Sequence, residues 1–503
     1  MVRWAASKPE VGGLQMGGDG EEEVGLGAEG GHRLGGGVPA VQGVGGKPPA
    51  ELSQKARLRF KIRREAVISR DSKDKGGLPY CDRIEASTWT NPMNREKGDK
   101  SPMTEGHHGQ TQTGGSVPDA ADVLVVGGGM IGLAIARQLA VRGVRVIVAE
   151  QAGVGSGASQ AAAGMLAAQV ETEEDGPFFD LQVASRRLWQ KWAHVLPEET
   201  GVAIGYRKTG MYRIAGTPHE AEMLQKRLEW QTQKGQSVTW LDAERLRAAV
   251  PGLGPEVYGA LYAPEDHQVD AVLALRALRL SAVWHGALVM EGTPVISLLK
   301  EGARIYGVRT PKGVLTADRV VLAGGLSVPA LLEPLGFTFP LEPVRGVACA
   351  LLADRPFLRE TLFGTGWYLT PKADGRLIVG ATEEGGAAAA YVPAESLMRI
   401  LERAMRAVPE IGRFPFRSAW SGIRTRTPDG LPVIGPVPGV EGLFVATGHH
   451  RNGILLAPVT GETIAEWIVG QKPPAVAMAF LPERFLKSGS DPTERRERDV
   501  QSR

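Results

Sequence analysis

Three glycines and one carboxylate carry the first chemical signal in the chain. Gly127, Gly129 and Gly132 sit at the G-x-G-x-x-G spacing within Gly127-Gly128-Gly129-Met130-Ile131-Gly132, and Glu150 follows 23 residues after the first. Glycines so placed allow a tight turn, a close backbone approach to a pyrophosphate and a close helix-strand contact, while a later acid accepts ribose hydroxyls. The pattern predicts a dinucleotide site without choosing between NAD and FAD. A second run of small residues, Gly155-Ser156-Gly157-Ala158-Ser159-Gln160-Ala161-Ala162-Ala163-Gly164-Met165, lies where a longer cofactor would continue, with Ser159 able to donate to phosphate. Read alone, that run is equally a flexible loop.

These residues need particular elements around them. Residues 123–126 are a continuous apolar run, as expected of a parallel strand buried on both faces, and feed the glycine turn. A helical pattern over 133–141 and a second strand over 144–149, ending at Glu150, complete a βαβ unit with the phosphate on the helix N-terminus. Further along, residues 181–192 read as an amphipathic helix, 210–214 and 259–262 as strands, 270–283 as a helix and 319–325 as a buried strand. Residues 366–371 and 375–382 predict a hairpin turning through Lys372-Ala373-Asp374-Gly375.

Composition limits what the chain can be. Its 503 residues suggest about three structural units, and 43% apolar with 23% charged residues is ordinary for a soluble globular protein. A net charge of +2 gives no reason to expect nucleic acid or a membrane surface, and no apolar run is long enough for a spanning helix. Cys81 and Cys349 lie far apart, so neither a disulfide framework nor a cysteine zinc site is expected, and the cytoplasm is the default location. Glycine is concentrated in the first 120 residues, which hold 22 of the 66. Residues 1–118 are therefore expected to be a disordered extension, with the basic run at 55–64 a solvated stretch, and residues 483–503 a disordered tail.

Five motifs in order resemble the D-amino-acid oxidase superfamily, and within it the glycine oxidases of the thiamine pathway. They are the 123–150 unit, Ala161-Ala162-Ala163-Gly164-Met165-Leu166, Trp420-Ser421-Gly422-Ile423-Arg424, Thr427-Pro428-Asp429-Gly430-Leu431-Pro432-Val433-Ile434-Gly435, and Gly448-His449-His450-Arg451-Asn452-Gly453-Ile454-Leu455-Leu456-Ala457-Pro458. The resemblance spans about residues 120–482. It implies an α/β fold in two parts: a Rossmann-like FAD-binding domain from segments near 119–205, 268–340 and 425–482, and an antiparallel-sheet substrate domain from 206–267 and 341–424.

The resemblance also implies roles. Arg424 would clamp the substrate carboxylate through a guanidinium fork, although Arg426 follows closely and leaves open which of the two faces the pocket. Tyr368 and Met165 would line the same pocket, and Arg451 would lie close by, as a catalytic residue or as a domain contact. Non-covalent FAD would be held by Gly127, Gly129, Met130, Ile131, Gly132, Glu150 and Gln151. Ala158, Ser159, Ala163, Gly164 and Met165 would follow, and Val295 would contact the adenine end through its backbone. His449, His450, Arg451, Asn452, Gly453, Ile454 and Leu455 would complete the cradle, with a helix opening at 453–456 whose N-terminus stabilises negative charge on the reduced flavin. Adjacent histidines do not converge on one ion, so no metal is expected.

The implied activity is oxidative deamination of glycine, sarcosine or small D-amino acids to glyoxylate or imine, ammonia and hydrogen peroxide, with oxygen as acceptor and a hand-off to thiazole synthase. A homotetramer is implied as well. Two other readings stay open: a D-amino-acid dehydrogenase, for example of D-proline, passing electrons to a quinone or carrier, and a non-catalytic FAD-binding module.

Overall fold

The βαβ unit forms as the apolar periodicity requires. In the computed structural model, which describes residues 120–353 and 357–485, the strand Ala120–Val126 runs into the helix Met130–Val141 and then the strand Val146–Ala149. The two strands pair in parallel, and Val123, Leu124 and Val125 are wholly buried between layers. Gly127 takes φ +108°, and a Cβ there would lie 2.7 Å from the carbonyl oxygen of Ala323, so only glycine fits the turn. At Gly132 a Cβ would land on the carbonyl oxygen of Gly127, which fixes how closely the helix can sit on the strand.

Around this unit grows an eight-stranded sheet in the order Val433–Pro436, Leu443–Thr447, Gly313–Leu322, Ala120–Val126, Val146–Ala149, Leu288–Met290, with Arg304–Thr310 and Ser297–Glu301 attached as an antiparallel arm. Its four pairings from Leu443–Thr447 to Leu288–Met290 are all parallel, and their five strands are drawn from three separate stretches of the chain. A second, nine-stranded sheet takes its strands from the intervening stretches, in the order Glu384–Gly385, Glu342–Leu352, Arg376–Gly380, Trp367–Pro371, Thr361–Gly364, Met211–Ala215, Gly259–Ala263, Thr239–Asp242, with the long strand Phe416–Arg426 on Glu342–Leu352. The α/β fold with a discontinuous Rossmann-like sheet and a second, mostly antiparallel sheet is thus present. One pairing departs from pure antiparallel order: Thr361–Gly364 runs parallel to Met211–Ala215. Those strands come from different excursions of the chain, so no hairpin dictates their direction.

Element boundaries shift in places for visible reasons. The helix expected from about 453 begins at Ala457, after a 3-10 turn at His450–Asn452, because Pro458 is suited to a helix's first turn and not to its interior. Residues 483–485, expected to be disordered, belong to the folded body: Pro482–Arg484 form a short turn, and Arg484 Nε donates to Asp429 Oδ2 at 2.7 Å. The rest of that tail, the 1–118 extension with its basic run, and Cys81 lie outside the described residues. No described helix is long and apolar enough to cross a membrane.

Candidate active site

A cavity of about 450 Å³ opens where the glycine turn meets the second sheet. From the first sheet and its loops it is lined by Gly127, Gly129, Met130, Ile131, Glu150, Gln151, Ala158, Ser159, Ala163, Gly164 and Met165, and by His449, His450, Arg451, Gly453 and Ile454. From the second sheet come Gly346, Tyr368 and Arg424. Gly132, Val295, Asn452 and Leu455 do not reach it. Gly132 serves the helix-strand contact, and Val295 packs on the apolar cluster beneath the sheet. The turn at 452–455 is braced from behind by the helix Pro177–Thr200. Ser185 Oγ donates to Leu455 O at 2.6 Å, Trp189 Nε1 to Ile454 O at 3.0 Å, and Gln182 Nε2 to Asn452 Oδ1 at 3.3 Å.

The nucleotide side of the cavity is shaped by backbone. Glu150 is buried at the end of its strand, accepting from Gly128 N at 2.7 Å and Ala152 N at 2.9 Å, which orients the carboxylate beside the glycine turn. Gly128, the middle glycine, therefore has a role that the spacing of the outer three did not reveal. Ser159 Oγ accepts the Met130 amide at 2.9 Å, leaving its own proton for an acceptor. A tight glycine turn, a helix N-terminus and a held acid around one cavity suit the pyrophosphate and ribose of FAD. Cys349, the described cysteine, is buried away from this lining with its thiol pushed up to about 12, so no described thiol is placed to bond a flavin.

On the opposite side, side chains carry the charge. Arg424 lies across from Val344 in the strand pair, and Gly346, with no Cβ, leaves room for its guanidinium: a Cβ there would lie 2.5 Å from Arg424 Cζ. Its Nη1 donates to Thr382 O at 3.0 Å, and it forms no ion pair with a described carboxylate. Burial, then the charge of Arg451, pushes it below the usual arginine range. Arg426 instead turns away and pairs with Glu342 at 2.7 Å and Glu383 at 3.4 Å. Tyr368 is buried, faces the ring of Phe363 at 6.3 Å, and is held as a phenol because burial raises its pKa.

Arg451 is committed to carboxylates. Its Nε meets Glu171 at 3.0 Å and its Nη1 meets Glu383 at 3.1 Å; the Glu171 charge above all raises its pKa. Burial pushes Glu383 up, but Arg451 and His450 outweigh it and hold the carboxylate below its usual range. Glu171 and Glu383 were not expected at the site: Glu171 opens an acidic run that reads as a solvated face, and nothing near Glu383 marks it. His449 donates to or accepts from Thr460 Oγ1 at 3.0 Å, and burial drives its pKa down to about 3; His450 is driven to about 4. Both are neutral at physiological pH. No group of three or more metal-ligating side chains occurs among the described residues. A second cavity of about 810 Å³, walled by Glu173, Glu174 and Asp175, adjoins the first, with which it shares Glu171, Tyr368, Ala381, His450 and Arg451.

Comparison with known proteins settles the family. The family model for FAD dependent oxidoreductases, DAO, matches residues 122–467. The chain belongs to this DAO family. As a member it takes FAD as cofactor. Glycine oxidase from Geobacillus kaustophilus is 39% identical over 349 residues, covering 69% of this chain and 92% of that protein. The crystal structure of glycine oxidase from that species superposes with a TM-score of 0.71 at 37% identity, covering 74% of this chain and all (100%) of that one. The bifunctional protein ThiO/ThiG of Synechocystis is 37% identical, over 74% of this chain and 55% of its own length. L-proline dehydrogenase from P. horikoshii shares the fold with a TM-score of 0.67 at 27% identity.

Proposed function

We propose that this DAO-family chain oxidises glycine to an imine that water converts to glyoxylate and ammonia, and that it takes sarcosine or small D-amino acids as further substrates, each giving its own 2-oxo acid and amine. The observation that supports it is Arg424, a half-buried guanidinium without a carboxylate partner among the described residues, on the wall of the FAD cavity with Tyr368. An unpaired cation partly withdrawn from water is costly, and a substrate carboxylate would satisfy it with charge-assisted hydrogen bonds. Tyr368 adds a hydroxyl donor. FAD, when bound, supplies the two-electron acceptor and oxygen then yields hydrogen peroxide.

The chain's own part is positioning. Arg424 fixes the carboxylate, the Glu171-Arg451-Glu383 cluster keeps the amine side polar, and Met165 and Tyr368 narrow the space around the α-carbon. Neither His449 nor His450 is suited to accept the amine proton, since burial depresses the basicity of both, and the nearby carboxylates Glu171 and Glu383 are engaged by Arg451. The likeness to bifunctional ThiO/ThiG proteins, of which this chain spans about half, supports a hand-off of the oxidised product to a separate thiazole synthase.

A coupled peroxide assay under air, with glycine, sarcosine, D-alanine and D-proline, tests the activity. Peroxide from glycine at a rate near that of the best substrate supports the reading. Flavin bleaching without peroxide would replace it with a dehydrogenase that uses another acceptor.

A further inference from the structure

Lys372 has no part in the account so far. It opens the turn between the strands Trp367–Pro371 and Arg376–Gly380, and its ammonium points out of the second sheet into the cofactor side of the molecule. There Nζ donates to Ala163 O at 2.6 Å, to Gln268 Oε1 at 2.9 Å and to Val269 O at 2.9 Å. Three N–H groups meet three uncharged acceptors, so each proton is used.

All three acceptors belong to one small assembly. Ala163 lines the FAD cavity, Gln268 pairs with Met165 across a two-stranded ribbon, and Val269 N donates to Gly164 O at 2.8 Å. At the other end of the same hairpin strand stands Tyr368. Arg376, four residues on, reinforces the junction through Asp270 at 2.7 Å.

We propose that Lys372 is a positioning residue whose ammonium pins the hairpin bearing Tyr368 to the 163–165 segment of the FAD cradle. The pin needs the charged form: a neutral amine has two N–H donors for three acceptors, so one tie is lost on deprotonation. Asp270 and Asp374 favour the charge, while Arg376 and Arg207 oppose it. Burial is the largest influence and brings Lys372 down to about 7, so the proton leaves near neutrality. FAD affinity then holds steady below pH 7 and weakens above it.

The test uses full-length holoenzyme and follows flavin released on dilution, by its fluorescence, from pH 6 to pH 9. The wild type is expected to bind FAD about tenfold more weakly at pH 9 than at pH 6, the loss of roughly one to two buried hydrogen bonds. Lys372→Met is expected to bind FAD about tenfold more weakly at pH 6, with no further pH step, and to recover its glycine Michaelis constant in excess FAD. Gln268→Leu keeps the ammonium but removes one acceptor, so the step should move to lower pH. A Lys372→Met protein that melts earlier yet binds FAD within twofold of wild type, or keeps the wild-type pH step, overturns the proposal. If that variant does not fold, an unmoved step in Gln268→Leu overturns it.

Discussion

The two sides of the cavity are made by different means. The nucleotide side is backbone: the turn at Gly127, the amides of Gly128 and Met130, and small residues from 155 to 165. The opposite side is side chains, with Glu171, Tyr368, Arg424 and Arg451 brought from separate segments, and Glu383, on the wall of the second cavity, paired with Arg451. A backbone wall is written into a contiguous pattern of glycines. A side-chain wall exists only once remote strands have paired in register.

The contrast makes the two sides separable, and Arg424→Ala should separate them most sharply. Removing this half-buried guanidinium from a bound carboxylate costs about 3 kcal/mol, so the glycine Michaelis constant should rise on the order of 100-fold while FAD stays bound. Co-purifying flavin, read by absorbance, together with steady-state peroxide kinetics, checks both halves. Gly132→Ala should do the reverse: the added methyl meets the Gly127 carbonyl oxygen, and repacking should cost about 2 kcal/mol, lowering the melting temperature and loosening FAD with little change in the Michaelis constant of the reloaded protein. Glu171→Gln leaves Arg451 with Glu383 alone, and about a tenfold loss in kcat/KM with FAD affinity unchanged is expected. Arg426→Ala breaks half-exposed pairs with Glu342 and, at longer range, Glu383, and should change kcat/KM by no more than about threefold.

Acid separates stability from substrate binding. His449 has its folded pKa lowered from 6.5 to about 3 by burial, so its contribution is present above the unfolded value and is lost as pH falls from 6.5 toward 3. The melting temperature should fall below pH 6.5, while the glycine Michaelis constant shows no histidine limb between pH 5 and pH 7.

What could be read from the sequence follows the same division. The glycine turn, Glu150, the first helix and the hairpin carrying Tyr368 stood out because each is encoded by neighbours in the chain. Arg424 and Arg426 are two apart in one strand, and only the packing around them sends the first toward the space left by Gly346 and the second to Glu342. Glu171 and Glu383 become partners only through Arg451, which no local spacing discloses. Val295 reads by resemblance as a backbone contact to the cofactor, and its partly buried side chain packs against the apolar cluster under the sheet. The helix after the last strand was legible, though not its start, where Pro458 and the bracing by Ser185 and Trp189 delay it.

One comparison tests the central claim most directly: glycine titrated into Arg424→Ala and Arg426→Ala holoenzymes side by side, reading peroxide formation with the flavin spectrum recorded throughout. Both are expected to stay yellow, and Arg424→Ala alone to lose glycine saturation. Equal kinetics in the two variants, or a loss confined to Arg426→Ala, would contradict that claim.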